Sequence, residues 1–174
     1  MPGRGLCLLL LVCMFGHADA GGTAEAYTLY LVRHAEKQTD GGDDPGLTDT
    51  GKQRSEQLAR WLADKDVTDI WSSDYRRSRA TAEPLAGMLG PGLMLYDPKD
   101  LPALARNLRE NRHNALIVGH SNSTPDLARL LCACFIKDMD DAEYDRLIVI
   151  SVSAEATQVE TLSQGALFPA PGDP

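Results

Sequence analysis

Apolar positions change their spacing along the chain, and the changes mark out elements. Residues 27–32 ("YTLYLV") are apolar or aromatic at almost every position, which predicts a strand. The "DGGDDPG" stretch that follows is a loop. From Thr48 to Lys65 the apolar residues Leu58, Trp61 and Leu62 share one face, which predicts a helix capped by Thr48 or Asp49. "DIWSS" predicts a second strand, and "YRRSRATAEPLAGML" a second helix stopped by Gly90, Pro91 and Gly92. "LMLY" is a third strand, and "LPALARNLREN" a helix with Leu101, Leu104 and Leu108 in register. "ALIVG" is an unbroken apolar run, the mark of a strand covered on both faces. After Ser123 and Thr124, Pro125 suits a helix start, and "DLARLLCACF" continues that helix. "RLIVISV" and "TQVETL" close the pattern as two strands with a short connection, hence a hairpin. Strands that alternate with helices predict an α/β fold. It is a three-layer sandwich, with helices on both faces of a mostly parallel, mixed sheet.

The first twenty residues stand outside this pattern. One Arg precedes the ten-residue apolar run "LCLLLLVCMF", and "GHADA" ends in the small-residue pattern Ala18-Asp19-Ala20. That layout predicts a signal peptide over residues 1–20, cleaved after Ala20. A membrane anchor is disfavoured, since ten apolar residues are about half of what a bilayer core needs. A lipoprotein site at Cys13 is disfavoured by the bulky Val12 before it. The expected organisation is therefore a signal over 1–20, one domain over 21–162 and a flexible tail over 163–174. The expected location is outside the cytoplasm, in the periplasm.

Charge narrows the partners. The net charge of −8 survives removal of the signal, because Arg4 and Asp19 cancel, and no Lys/Arg run or basic patch occurs. Nucleic acid and anionic membrane surfaces are therefore excluded as partners. Cys7 and Cys13 leave with the signal, and Cys132 and Cys134 remain. Both fall in a predicted helix, where residues two apart point about 200° apart. The expectation is two small buried hydrophobes and no disulfide.

The candidate chemistry sits at the strand ends. After the signal is removed, three histidines remain: His34, His113 and His120. "LYLV" runs into Arg33-His34, "ALIVG" into His120, and "DIWSS" into a stretch rich in Arg and hydroxyls. In open α/β sheets ligands bind at the carboxyl ends of strands, so these groups converge on one edge. Arg offers a fork of donors that matches a phosphoryl group. A neutral imidazole is a nucleophile near pH 7. A histidine attacking phosphorus needs Arg on the non-bridging oxygens and another donor on the developing charge.

Four stretches carry a resemblance. "LVRHAEK" resembles the R-H-G/A-E signature of the histidine phosphatase superfamily, the phosphoglycerate mutase-like proteins. "LTDTGKQRSEQLA", "SSDYRRSRATAEPLA" and "IVGHSNS" resemble its next three motifs, in the same order, over roughly residues 27–152. The resemblance implies that His34 is the nucleophile that becomes phosphohistidine. Arg33 and Arg77 would grip the phosphoryl oxygens, and His120 would stabilise the transferring group. Ser121 and Asn122 would add donors to substrate, while Arg76 and Arg79 form a solvated face. Asp74 and Ala80 depart from the family pattern. For the proton donor to the leaving group, Asp97, Asp100 and Glu36 are the candidates. From Pro84 to Gly119 there are 36 residues, too few for the substrate-covering insertion of the mutases. The chain is therefore similar to the minimal members with open pockets.

Rival readings fit less well. Ser121 in "GHSNS" is close to a nucleophile elbow, but no histidine follows it to complete a triad. A zinc site on His34, Glu36 and His120 lacks the P-C-x-x-C partner motif, and Arg33 would repel a cation. A non-catalytic phosphate-binding domain would keep the pocket without turnover. The expectation is an exported, metal-independent phosphomonoesterase without a cofactor, acting through phosphohistidine. Its partner would be a small-molecule phosphomonoester such as a phosphorylated envelope sugar, or else phosphohistidine on a protein. No stable membrane association is expected once the signal is gone, and the residues specify no oligomeric state.

Overall fold

The computed structural model describes residues 26–90 and 92–168. The expected signal, and residues 169–174 of the expected tail, lie outside the described residues. The elements follow the predicted order: β1 (Tyr27–Arg33), α1 (Asp49–Leu62), β2 (Asp69–Ser73), α2 (Arg76–Leu89), β3 (Leu93–Tyr96), α3 (Leu101–Asn111), β4 (Ala115–Gly119), α4 (Ser123–Cys132), β5 (Arg146–Val152), β6 (Thr157–Ser163) and a short α5 (Gln164–Leu167). One six-stranded sheet runs in the order β3-β2-β4-β1-β5-β6. β1 to β4 are parallel, and β5 and β6 form the predicted antiparallel hairpin.

The sheet alternation sorts the core into two layers. Leu29 and Leu31 of β1, Ala115 and Ile117 of β4, and Ile148 and Ile150 of β5 face α3 and α4. Tyr30, Val32, Leu116, Val118, Leu147 and Val149, one residue along each strand, face α1 and α2. β1 and β4 are buried at nearly every position because both faces are covered. This is the three-layer sandwich expected from the sequence.

Helix ends have local causes. Thr48 caps α1, its Oγ1 accepting from Gly51 N at 3.1 Å. Gly90 stops α2 in the left-handed conformation, φ 87°. Asp100 caps α3 by accepting from Ala103 N.

Two expectations need correction. α4 ends at Cys132, and Ala133 turns left-handed with φ 51°. Helical geometry therefore does not extend to Cys134, and Cys132 and Cys134 are joined in a disulfide with their Cα atoms 5.1 Å apart. Residues 163–167, expected in the flexible tail, finish β6 and form α5. Ser163 caps that turn, and Gln164 is buried.

Candidate active site

Adjacent strands β2, β4 and β1 bring their carboxyl ends side by side. Arg33 pairs in register with Gly119, and the next residue, His34, donates its backbone N–H to Gly119 O at 2.9 Å. His34 and His120 thus emerge together, with ring centroids 5.4 Å apart. The packing under them is tight. A Cβ on Gly119 would lie 2.8–2.9 Å from Thr124 Oγ1, Ser123 Oγ and the Tyr96 hydroxyl, so any other residue before His120 would force these neighbours to shift.

The orientation of each ring follows from its partner. A carbonyl can only accept, so the 2.8 Å contact between His34 Nδ1 and Ala35 O places the proton on Nδ1 and the lone pair on Nε2. Ala35 N in turn donates to Thr81 Oγ1. His120 Nε2 lies 2.9 Å from Ser73 Oγ, which donates to Ser78 Oγ, leaving Nδ1 for a bound group. Burial is the main cause that lowers His34 to a pKa of about 3, and Arg33, Arg77 and His120 lower it further against the hydrogen bond that Nδ1 donates to Ala35 O. His120 falls to about 4, again through burial first, then Arg77 and Arg33. Both imidazoles are neutral at physiological pH.

The two arginines are held from behind. Arg33 is buried, and its NH1 donates to three carbonyls of the α4–β5 loop, Asp140 O (3.1 Å), Asp141 O (2.6 Å) and Glu143 O (3.2 Å). Its guanidinium stacks 4.3 Å from the Tyr144 ring. Arg77, in the first turn of α2, stacks 4.5 Å from Tyr75, and its NH1 lies 3.5 Å from Asp44 Oδ1. Asp44 also accepts from Arg76 N and so supplies the start of α2, which Tyr75 does not cap. The Nε of Arg33 and the Nε of Arg77 are buried without an acceptor.

Arg33, His34, Arg77, His120, Ser121 and Asn122 line one pocket of about 340 Å³, together with Lys37, Tyr75, Pro98, Lys99 and Asp141. The expected acids are elsewhere. Glu36 forms a two-pronged ion pair with Arg54, from Nε at 3.0 Å and NH2 at 2.6 Å. Asp100 caps α3, and Asp97, which does not line the pocket, accepts from Lys99 N. With Glu36 turned to Arg54, the triad His34, Glu36 and His120 is not assembled as a ligand set. Ser121 donates to Asp141 Oδ1 at 2.7 Å and has no imidazole partner, which removes the elbow reading. Arg79 pairs with Asp74, and Arg76 is exposed, as expected of a solvated face.

Sequence reasoning missed Tyr75, Tyr144, Asp44, Ser73 and Asp141. Tyr75 and Ser73 lie inside a quoted motif, but nothing in their spacing marks a stacking or hydrogen-bonding role. The other three come from loops that periodicity does not place.

Comparison with known proteins agrees with the geometry. The family model described as histidine phosphatase superfamily (branch 1) matches residues 29–105. A probable phosphoglycerate mutase GpmB of Escherichia fergusonii is 39% identical over 77 residues, 41% of this chain and 35% of that protein. The 6-phosphofructo-2-kinase/fructose-2,6-bisphosphatase 4 of Rattus norvegicus is 35% identical over 65 residues, 34% of this chain and 14% of that protein. The chain thus spans well under half the length of these relatives. The structure of the protein histidine phosphatase SixA with tungstate superposes with a TM-score of 0.65 at 16% identity, over 81% of this chain and 99% of that one. A mycobacterial glucosyl-3-phosphoglycerate phosphatase superposes with a TM-score of 0.60 at 15% identity, over 80% and 98%. These two likenesses speak for the fold. The fold is that of these phosphatases, and over residues 29–105, the stretch that carries His34 and Arg77, the chain is similar to the histidine phosphatase superfamily (branch 1).

Proposed function

We propose that the chain is an exported, metal-independent phosphomonoesterase that works through a phosphohistidine on His34. The observation that carries this reading is the His34 lone pair on Nε2, set beside two arginines whose buried Nε–H groups lack acceptors. A phosphomonoester fits that arrangement, with its oxygens on Arg33 and Arg77 and its phosphorus facing His34. Nε2 forms the N–P bond as the ester P–O bond breaks. Water then attacks phosphorus, and His34 is released with inorganic phosphate. The negative charge of a bound phosphoryl group raises the proton affinity of His120, which once protonated donates from Nδ1 to the charge that develops on the phosphoryl oxygens.

The substrate we favour is a small phosphomonoester outside the cytoplasm, such as a phosphorylated envelope sugar. The small-residue cleavage pattern before Gly21 supports export, as does the Cys132–Cys134 disulfide, because such bonds persist in oxidising compartments. A second reading, phosphohistidine on a protein, is favoured by the short β3 and the four-residue turn before α3, which leave the pocket uncovered.

The test is rapid-quench labelling with a labelled phosphomonoester in excess EDTA, quenched in alkali. Wild type should form an alkali-stable, acid-labile phosphoenzyme, and His34→Ala none. His120→Ala should keep some label while losing roughly 2–4 kcal/mol of transition-state stabilisation. Loss of wild-type label in EDTA, restored by a divalent ion, would contradict the metal-independent reading. Label that survives in His34→Ala would move the nucleophile elsewhere.

A further inference from the structure

The proposed reaction needs a proton twice: the departing alkoxide must receive one, and the attacking water must lose one. Arginine holds its protons too tightly to serve. Glu36, Asp97 and Asp100 are bound up outside the pocket. Of the residues that line the pocket, Asp141 alone carries a carboxylate.

Asp141 sits on the α4–β5 loop, and its position is built from two sides. The loop backbone is tied to Arg33 through the carbonyls of Asp140, Asp141 and Glu143. The loop's own turn is closed by Ala142 N donating to Asp140 Oδ1 at 2.8 Å and Glu143 N to Asp140 O at 3.0 Å. The side chain itself is 92% exposed and is aimed by the Ser121 hydroxyl at 2.7 Å, with Arg33 NH2 at 3.9 Å from the same oxygen. Ser121 follows His120, so the hydroxyl that aims Asp141 is joined directly to the residue set against the phosphoryl group.

We propose that Asp141 is the catalytic acid and base of this site, giving its proton to the leaving oxygen and later taking one from the attacking water. The proposal rests on the phosphohistidine reading above. In the first step the His34 Nε2 lone pair forms the N–P bond. The P–O bond electrons go to the leaving oxygen, which takes the Asp141 proton and departs as the alcohol. In the second step water oxygen bonds to phosphorus and the N–P electrons return to His34. The water proton passes to Asp141, restoring the acid.

In the free pocket the carboxyl is held below its usual range, first by the Ser121 hydrogen bond and then by Arg33. A bound phosphoryl group acts on the carboxyl in two ways. It takes the Arg33 donors for its own oxygens and brings negative charge beside the carboxylate. Each change raises the proton affinity of Asp141 when a proton is needed.

The experiment compares Asp141→Asn with wild type on two substrates. One is an alkyl phosphate, whose alkoxide leaves only when protonated. The other is 4-nitrophenyl phosphate, whose phenolate leaves without help. The variant should lose on the order of 100-fold or more in kcat/KM on the alkyl phosphate. On the aryl phosphate it should keep its nitrophenolate burst and accumulate phosphoenzyme, because the water step is then slowed. Asp141→Glu should recover part of the alkyl phosphate activity. Equal losses in burst rate and alkyl phosphate turnover, or no loss in either, would overturn the role of Asp141 while leaving the phosphohistidine intact. If wild type shows neither burst nor label, the phosphohistidine reading fails and the role of Asp141 fails with it. Thermal unfolding of the variants separates these outcomes from misfolding.

Discussion

At the scale of single residues, the site keeps two imidazoles uncharged. Burial, more than the charge of Arg33 beside it, lowers the proton affinity of His34. This has a consequence for stability. The unfolded chain takes up protons on both histidines as pH falls through 6.5, whereas the folded chain resists until about pH 4 for His120 and about 3 for His34. Folding stability is therefore fully present above pH 6.5 and is lost as pH falls below it. The slope is up to ~1.4 kcal/mol per pH unit for buried His34 and less for the more exposed His120. Urea titrations at pH 7.5, 5.5 and 4.5 should give a shallower decline for His34→Ala than for wild type, and equal slopes would refute the assignment. Activity should not lose its nucleophile to protonation at pH 5.5, and the acid limb of kcat/KM should lie below that.

At the scale of elements, the strand ends carry the site and the loops finish it. Gly119 is the point where β4 meets the start of α4 and the Tyr96 hydroxyl. Gly119→Ala should cost about 1–3 kcal/mol of stability by overpacking. It should also lower kcat, because His120 must shift with the backbone. Chemical denaturation with a phosphatase assay checks both, and an unchanged denaturation midpoint would mean that the neighbours yield freely. Arg33, His34 and His120 were legible in the sequence because an apolar run ending in a charged group marks where a strand surfaces, whereas Arg77 was legible only through the family motif that "SSDYRRSRATAEPLA" resembles. Thr48, Gly90 and the β5–β6 hairpin were legible for similar local reasons. Asp141 and Asp44 were not, because a loop has no period and its side chains are placed by distant partners, here Arg33 and Arg77. The Cys132–Cys134 bond was hidden by one residue: Ala133 adopts a conformation that alanine rarely takes, and the helical spacing breaks there.

At the scale of the molecule, an acidic surface surrounds a cationic pocket, and the whole is pinned by one sheet. The exported reading makes a chemical prediction about the whole chain. Purified from the periplasm and denatured without reductant, the mature protein should show no titratable thiol, and two after reduction. Two free thiols before reduction would contradict the disulfide. The strand order also governs how the chain can be made. β1 touches only β4 and β5, and β2 only β3 and β4, so the first two strands share no edge. Until β4 emerges, a growing chain holds the nucleophile strand with no partner in the sheet. Parallel pairing across such separations is slow, since the intervening loop must close before any contact rewards it. The topology itself thus postpones folding of the nucleophile strand until more than two thirds of the sequence has been synthesised.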